Sequence, residues 1–208
     1  MKALVTGFDA FAGLPFNPSE EILKSLRRHP PNDLFDLIEF SVLPTSYAGV
    51  DNWLERSLDL ALDADLILML GLSVSTDRLK LERFAINVAD CGVADNRGEV
   101  RSGVAIVDGG PRAYGTSVNL ERVGAQLAVA GIPYCVSNNA GYYVCNYIYY
   151  RVLRRLDEVA STAKALFVHI PWAYPVTIQE HFDLPQRDRH LAAIGKLLLA
   201  CRMYLDEC

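Results

Sequence analysis

A cysteine and a histidine that follow strand-like segments are the residues of this sequence best placed to do chemistry. Cys145 lies where a turn containing Gly141 leads into a helix-like segment. The N-terminus of a helix lowers the pKa of a thiol and can hold an oxyanion through its backbone N–H groups. His169 follows the next strand-like run, Ala165–Val168, from which it could act as a general base. Such a pair performs acyl transfer, although most cysteines in reduced proteins are buried, inert thiols.

The elements that must position these residues alternate along the chain. Apolar runs typical of buried strands are Ala3–Thr6, Leu37–Leu43, Leu66–Leu70, Phe84–Asn87, Tyr134–Ser137 and Ala165–Val168. Helical spacing follows a cap at Asn17, occupies Tyr47–Leu62, runs between Ser117 and Gly131, and recurs over Cys145–Leu156 and Arg187–Leu205. Strands separated by helices predict a mainly parallel sheet covered on both faces. We therefore expect an α/β fold, a three-layer α/β/α sandwich with a twisted sheet, formed by residues 1–208 as a single domain.

Composition and charge exclude several function classes. The chain has 208 residues, of which 51% are hydrophobic and 22% charged, with a formal net charge of −5. This balance is that of a soluble globular protein, and it disfavours binding to nucleic acid or to an anionic membrane. Residues 123–150 carry no charge but are broken by Gly131 and Pro133, so they are expected to form protein interior and not a membrane span.

The cysteines and histidines also bear on metal binding and location. Five cysteines at irregular spacings, without a Cys-x-x-Cys pair, indicate reduced thiols and no zinc site. His29, His181 and His190 show no ligand spacing, so no metal is expected. Residues 1–11 lack the pattern of a signal peptide, and we expect the protein to be cytoplasmic.

Four segments together resemble the pyroglutamyl peptidase I family of cysteine peptidases (pyrrolidone-carboxylate peptidases), which remove an N-terminal pyroglutamate. The segments are Thr6–Gly13 with Asn17–Ser19, then Glu82–Asn87, Ser137–Asn146 and Phe167–Pro171. Their order and spacing match those of the family over nearly the whole chain. The resemblance implies a cysteine omega-peptidase that needs no cofactor and assembles as a homo-oligomer, a tetramer or a dimer.

The resemblance also implies a role for individual residues. Cys145 becomes the nucleophile, His169 the base, and Glu82 the carboxylate that orients the imidazole. A mainly apolar pocket would hold the neutral pyroglutamyl ring between side chains, with a backbone contact from one further residue. By motif position the residues of this pocket are Phe8, Phe11, Val93, Tyr143 and Val144, and the backbone contact falls to Leu72.

The sequence departs from the family pattern near the expected site. Val74, Ser75 and Thr76 stand where the family has paired glycines and an arginine. Gly92 stands where the family has a second arginine, near the oxyanion region. Arg78 and Arg97 are the nearby cations that could replace it in space.

Two alternatives therefore stay open. The same triad could act on another small amide or lactam, or the chain could be a non-catalytic binding protein on the same fold. Nucleotide binding through Gly7–Gly13 is disfavoured, because this loop matches neither G-x-G-x-x-G nor a P-loop.

Overall fold

A six-stranded sheet forms the centre of the molecule. The computed structural model describes residues 1–172 and 186–207. The strands of this sheet are β1 (Lys2–Phe8), β2 (Leu37–Leu43), β3 (Leu66–Ser73), β4 (Leu79–Glu82), β9 (Tyr134–Ser137) and β10 (Lys164–Pro171). Their spatial order is β2-β1-β3-β10-β4-β9. Strands β2, β1, β3 and β10 are parallel to one another, whereas β4 is antiparallel to β10 and parallel to β9. The predicted mainly parallel sheet is confirmed.

Helices cover both faces of the sheet. They are α1 (Pro18–Arg28), α2 (Tyr47–Leu62), α3 (Leu120–Val129), α4 (Val144–Glu158) and α5 (Gln186–Leu205). On one face α5 packs against α1 and α3, and on the other α2 packs against α4. Alternate residues of each strand supply the two cores, so that Leu68 and Leu166 belong to the first and Ile67 and Phe167 to the second. The three-layer α/β/α architecture is therefore confirmed.

Two short ribbons lie beside α4. One pairs β5 (Phe84–Ile86) with β8 (Ala113–Gly115), and the other pairs β6 (Ala89–Cys91) with β7 (Arg101–Val104). Asn146, one residue after Cys145, is fully buried and fastens both ribbons to α4. Its Oδ1 accepts from the Ile86 N–H at 2.9 Å, and its Nδ2 donates to the carbonyls of Ile86 and Val88 at 2.8 and 3.0 Å.

Several element boundaries differ from the sequence prediction. Strand β3 continues past Leu70 to Ser73, and β10 continues through His169 to Pro171, because the ladder between them extends to these residues. Strand β4 was missed, and Phe84–Ile86 belongs to a ribbon instead of the main sheet. Helix α3 begins later than the sequence pattern from Ser117 indicated, because Asn119 is its cap: Asn119 Oδ1 accepts from the N–H groups of residues 121 and 122.

The uncharged stretch 123–150 contributes parts of α3 and α4 with β9 between them. Val123, Ile148 and Tyr149 are fully buried. Within the described part of the chain, no helix is both long enough and apolar enough to cross a membrane.

Candidate active site

Two neighbouring strands, β4 and β10, bring Glu82 and His169 to the face of the sheet that α4 covers. In the ladders, His169 of β10 is paired with Gly71 of β3 on one side and with Lys80 of β4 on the other. Glu82 is paired with Phe167, two residues before His169. Because side chains two residues apart in a strand share a face, Lys80, Glu82 and His169 all face α4.

Glu82 and His169 form a buried hydrogen-bonded pair. The distance between Glu82 Oε1 and His169 Nδ1 is 2.7 Å, and the two residues are 1% and 8% exposed. With Glu82 ionised, Nδ1–H donates to the carboxylate and Nε2 is left to accept a proton. The hydroxyl of Tyr149, on α4, also donates to the Glu82 carbonyl at 3.0 Å. This bond holds the backbone of β4 against α4. The imidazole is therefore held in one orientation.

Cys145 is the second residue of α4. The N-cap residue, Tyr143, has extended backbone and forms no side-chain capping bond. The first helical bond runs from the Tyr147 N–H to the Tyr143 carbonyl, so the N–H groups of the first turn are not used within the helix. These groups and the positive end of the helix dipole are suited to an oxyanion forming beside the sulfur.

The surroundings of Cys145 keep its thiol protonated at rest. Burial raises the pKa of Cys145 to about 12, and the negative charge of Glu82 acts in the same direction, while the residue's own backbone N–H opposes them. A thiol with this pKa forms the nucleophilic thiolate only when a base accepts its proton. His169 lines the same cleft as Cys145 and has the ring nitrogen to do so.

A cleft of about 440 Å³ opens over the pair and the thiol. It is lined by Phe11, Leu72–Ser75, Lys80, Glu82, Ser137, Asn139–Tyr143, Cys145 and His169. The charged side chains of this lining are Glu82 and Lys80, and His169 and Cys145 are titratable. The remaining lining side chains carry no charge. The uncharged part of this lining suits a small, neutral group with an amide bond.

The predicted substrate-binding residues divide into two groups. Phe11, Leu72 and Tyr143 line the cleft, and the rings of Phe11 and Tyr143 lie 6.3 Å apart between centroids. Phe8 and Val144 are 2% and 0% exposed in the core below, and Val93 is 51% exposed on a loop. The structure does not place these last three on the cleft wall, and their contact with substrate stays a prediction.

A network that the sequence analysis missed holds the loop that carries Phe11. Asp9 Oδ1 accepts from the Thr45 N–H at 2.7 Å and from Asn96 Nδ2 at 3.2 Å. Asn96 Nδ2 also donates to the Ala10 carbonyl at 2.8 Å, and the Tyr143 hydroxyl donates to the Ala94 carbonyl at 3.0 Å. Residues 94–96 thus connect two walls of the cleft. The one sequence signal was polarity, since two consecutive polar residues, Asp95 and Asn96, follow the apolar Val93 and Ala94.

Asp95 anchors this segment. It is 5% exposed, and its carboxylate accepts backbone N–H groups from Tyr47, Arg97 and Glu99 at 2.9, 2.8 and 2.9 Å. Burial alone would raise the pKa of Asp95, but these donors and the charge of Arg101 outweigh it and lower the pKa. The ionised carboxylate is therefore the form that the folded chain stabilises.

The departures from the family pattern alter one side of the cleft. Val74 and Ser75 line it, with the Val74 side chain 71% exposed. A Cβ on Gly92 would meet no atom within 4 Å. Arg78 is paired with Asp77 at 2.6 Å, and Arg97 lines a separate groove with Trp53. Neither guanidinium lines the cleft, where Lys80 is the one Lys or Arg among the described lining residues.

Metal-binding side chains do not converge elsewhere in the described part of the chain. Residues 1–172 and 186–207 contain no group of three or more His, Cys, Asp or Glu that could hold a metal ion. His190 is buried, and its Nε2 lies 2.8 Å from the Pro171 carbonyl. His29 is an exposed residue at the end of α1, and His181 lies outside the described residues.

Comparisons with known proteins identify the family of this chain. The profile of the pyroglutamyl peptidase family matches residues 1–193. A pyrrolidone-carboxylate peptidase of Thermococcus kodakarensis is 34% identical over 100% of this chain and 97% of its own length. One from Clavibacter michiganensis is 35% identical over 95% of this chain and 92% of its own length.

Solved structures give the same result. Pyroglutamyl peptidase I from Bacillus amyloliquefaciens superimposes with a TM-score of 0.83 at 28% identity, covering 98% of this chain and 96% of that one. The pyrrolidone carboxyl peptidase of Fervidobacterium islandicum superimposes with a TM-score of 0.82 at 32% identity, covering 95% and 96%.

Proposed function

The chain belongs to the pyroglutamyl peptidase family, and on this premise we propose that it is a cysteine peptidase that removes an N-terminal pyroglutamyl residue from peptides. The observation that carries the proposal is the buried Glu82–His169 pair, which shares one cleft with Cys145 at the start of α4. In this proposal Cys145 is the nucleophile, His169 the general base and Glu82 the group that orients the imidazole. All three act on an uncharged acyl group.

The reaction follows from these roles. His169 Nε2 takes the thiol proton as the sulfur attacks the acyl carbon that joins pyroglutamate to the next residue. The negative charge that develops on the acyl oxygen is stabilised by N–H groups at the start of α4. The C–N bond then breaks, and the imidazolium returns the proton to the leaving amine. Water, activated by His169, hydrolyses the thioester and releases pyroglutamate and the free thiol. These steps use no cofactor.

The lining of the cleft suits the pyroglutamyl ring. The ring is small and neutral, and it carries one lactam N–H and one carbonyl. Phe11 and Tyr143 offer aromatic surface for its ring atoms, and the backbone of Leu72 offers polar groups for the lactam. Phe8, Val93 and Val144 stay predictions for this pocket, since they do not form its wall.

Of the alternatives, a non-catalytic binding protein would have no need of a buried carboxylate paired with histidine beside a cysteine. An enzyme for another small amide rests on the altered Val74–Ser75 loop and on Gly92, and family membership favours pyroglutamate over it. We further propose that residues 1–208 form one domain, that the protein is cytoplasmic, and that it assembles as a homo-oligomer, a tetramer or a dimer.

Fluorogenic amides under reducing conditions test the proposed substrate. A pyroglutamyl amide should be hydrolysed at least 100-fold faster, in kcat/KM, than the prolyl amide, which lacks the lactam carbonyl, or the glutaminyl amide, which lacks the ring. Cys145→Ala should abolish this hydrolysis. A better rate on another amide, or hydrolysis that survives in the variant, would overturn the proposal.

A further inference from the structure

One charged side chain in the cleft has no role in the mechanism. Lys80 is paired with His169 across the antiparallel β10–β4 ladder, and it lies two residues before Glu82 on the same face. Directly opposed residues in such a ladder have Cβ atoms about 4.5–5.5 Å apart. The Lys80 side chain therefore starts beside the catalytic base and lines the cleft with it.

The ammonium group of Lys80 is available to a ligand. The side chain is half-buried, and it has neither an ion pair nor a hydrogen bond in the part of the chain that the structure describes. The carboxylate nearest in sequence on this face, Glu82, is bound to His169 Nδ1 instead. Lys80 thus places an unpaired positive charge beside Glu82 and His169, which are hydrogen-bonded to each other.

The substrate determines what can meet this charge. A pyroglutamyl group in a peptide is neutral, because its amine is closed into the lactam and its carboxyl is in the scissile bond. Any anion presented to Lys80 by a substrate must therefore belong to the leaving part. The nearest possible source is the residue directly after pyroglutamate, through its C-terminal carboxylate in a dipeptide or through an acidic side chain.

We propose that Lys80 is a specificity-determining residue that makes the enzyme favour substrates with a carboxylate on the residue that follows pyroglutamate. The ammonium donates to that carboxylate while Cys145 attacks the neighbouring acyl carbon. This inference rests on the proposed function. It means that the site recognises the residue after pyroglutamate as well as the pyroglutamyl ring.

Matched pairs of peptides test the proposal. Pyroglutamyl-alanine carries a C-terminal carboxylate that pyroglutamyl-alaninamide lacks, and pyroglutamyl-glutamic acid amide carries a side-chain carboxylate that the glutamine analogue lacks. Released amine is measured at low salt, and kcat/KM should be about threefold to tenfold higher for the carboxylate member of at least one pair. The pair that shows the preference identifies the source. In 0.5 M NaCl the preference should shrink, since the screening length falls to about 4 Å.

Substitutions separate this role from general charge effects. In Lys80→Met the ratio of kcat/KM within the preferred pair should fall to about one, whereas Lys80→Arg should keep the preference. Arg78→Met removes the same charge two residues away, outside the cleft, and should leave the ratio unchanged.

Two results would overturn the inference about Lys80: equal rates for both members of each pair in the wild type, and an unchanged ratio in Lys80→Met. An unchanged ratio together with weaker inhibition by free pyroglutamate in Lys80→Met would assign Lys80 to the product carboxylate. Failure of the proposed function is distinct, because it would appear as no hydrolysis of the neutral pyroglutamyl-alaninamide by the wild type.

Discussion

Gly71 lies directly against the sulfur of Cys145. A Cβ built on Gly71 would be 3.1 Å from Cys145 Sγ, and 2.7 and 2.9 Å from Cζ and Cε1 of Phe167. A side chain at this position would have to displace the nucleophile, a buried aromatic ring, or both. The absence of a side chain at Gly71 is therefore a requirement of the site, although the residue performs no chemistry.

Gly71→Ala should lower kcat about tenfold or more and cost about 1–3 kcal/mol of unfolding free energy, because overpacking shifts the sulfur and the Phe167 ring. Steady-state kinetics and urea unfolding measure the two effects. Gly92→Ala is the control, since a Cβ there meets no atom within 4 Å, and it should change neither quantity. A Gly71→Ala enzyme with the kinetics of the wild type would show that the sulfur is not confined as described.

Glu82→Gln should reduce kcat by about 10²–10⁴-fold with little change in KM, because an amide that donates to Nδ1 favours the wrong tautomer of the imidazole, and a neutral amide does not stabilise its cation. Glu82 Oε2 is buried and has no hydrogen-bond partner among the described residues, so an amide N–H placed there would also be unsatisfied. Glu121→Gln, an exposed carboxylate at the start of α3, provides the comparison. A kcat for Glu82→Gln within threefold of the wild type would contradict the role of Glu82.

His169→Ala should slow the alkylation of Cys145 by iodoacetamide at pH 7.5 by 100-fold or more. Without the base, burial still raises the pKa of the Cys145 thiol, so the thiolate is a small minority at pH 7.5. Because a raised thiol pKa leaves the neutral form dominant below it, the alkylation rate of the variant should keep rising with pH up to pH 10. Mass spectrometry of the Cys145 peptide gives the rate. Equal labelling of variant and wild type at pH 7.5 would show that His169 does not activate the thiol.

Asp95→Asn should destabilise the fold by about 1–3 kcal/mol at pH 7, because the amide cannot accept all three backbone N–H groups. The lowered pKa of Asp95 means that the unfolded chain binds its proton more tightly than the folded chain. The stabilisation is therefore fully present above about pH 4, the unfolded value, and is lost as the pH falls through the folded pKa. Urea unfolding at pH 7 and pH 3.5 should show the difference between variant and wild type shrinking at the lower pH. Asp33→Asn replaces an exposed carboxylate and should show neither effect. If the loss of unfolding free energy in Asp95→Asn were the same at both pH values, the account would be contradicted.

The sequence predicted the layered fold because its apolar strand runs are strong local signals. The bounds predicted for Leu37–Leu43, Tyr47–Leu62 and Tyr134–Ser137 are those observed. It missed β4, whose four residues alternate, with Leu79 and Leu81 in the core and the other two facing the cleft. A run of four residues has too little periodicity for a strand to be distinguished from a loop. The antiparallel direction of β4 follows from its pairing with β10, which lies far along the chain.

The sequence indicated the candidate catalytic residues more fully than the residues that line the cleft. The positions of Cys145 before a helix and of His169 after a strand indicated a nucleophile and a base, whereas Glu82 and the roles of all three residues came from the resemblance to the family. Which aromatic residues face the substrate depends on packing: the loop beyond β1 brings Phe11 to the cleft, whereas Phe8 of β1 lies in the core and its contact with substrate stays a prediction. The bonds that hold this loop run from Asn96 to Asp9 and Ala10, 86 residues or more away in sequence. Local patterns do not contain such contacts.

The most direct test of the account is hydrolysis of pyroglutamyl-alaninamide by three proteins under reducing conditions: the wild type, Cys145→Ala, and Cys91→Ala as a control that removes a different partly exposed thiol. We expect turnover by the wild type and by Cys91→Ala at similar rates, and none by Cys145→Ala although it folds normally. Turnover that persists in Cys145→Ala, or that is absent from the wild type, would contradict the account.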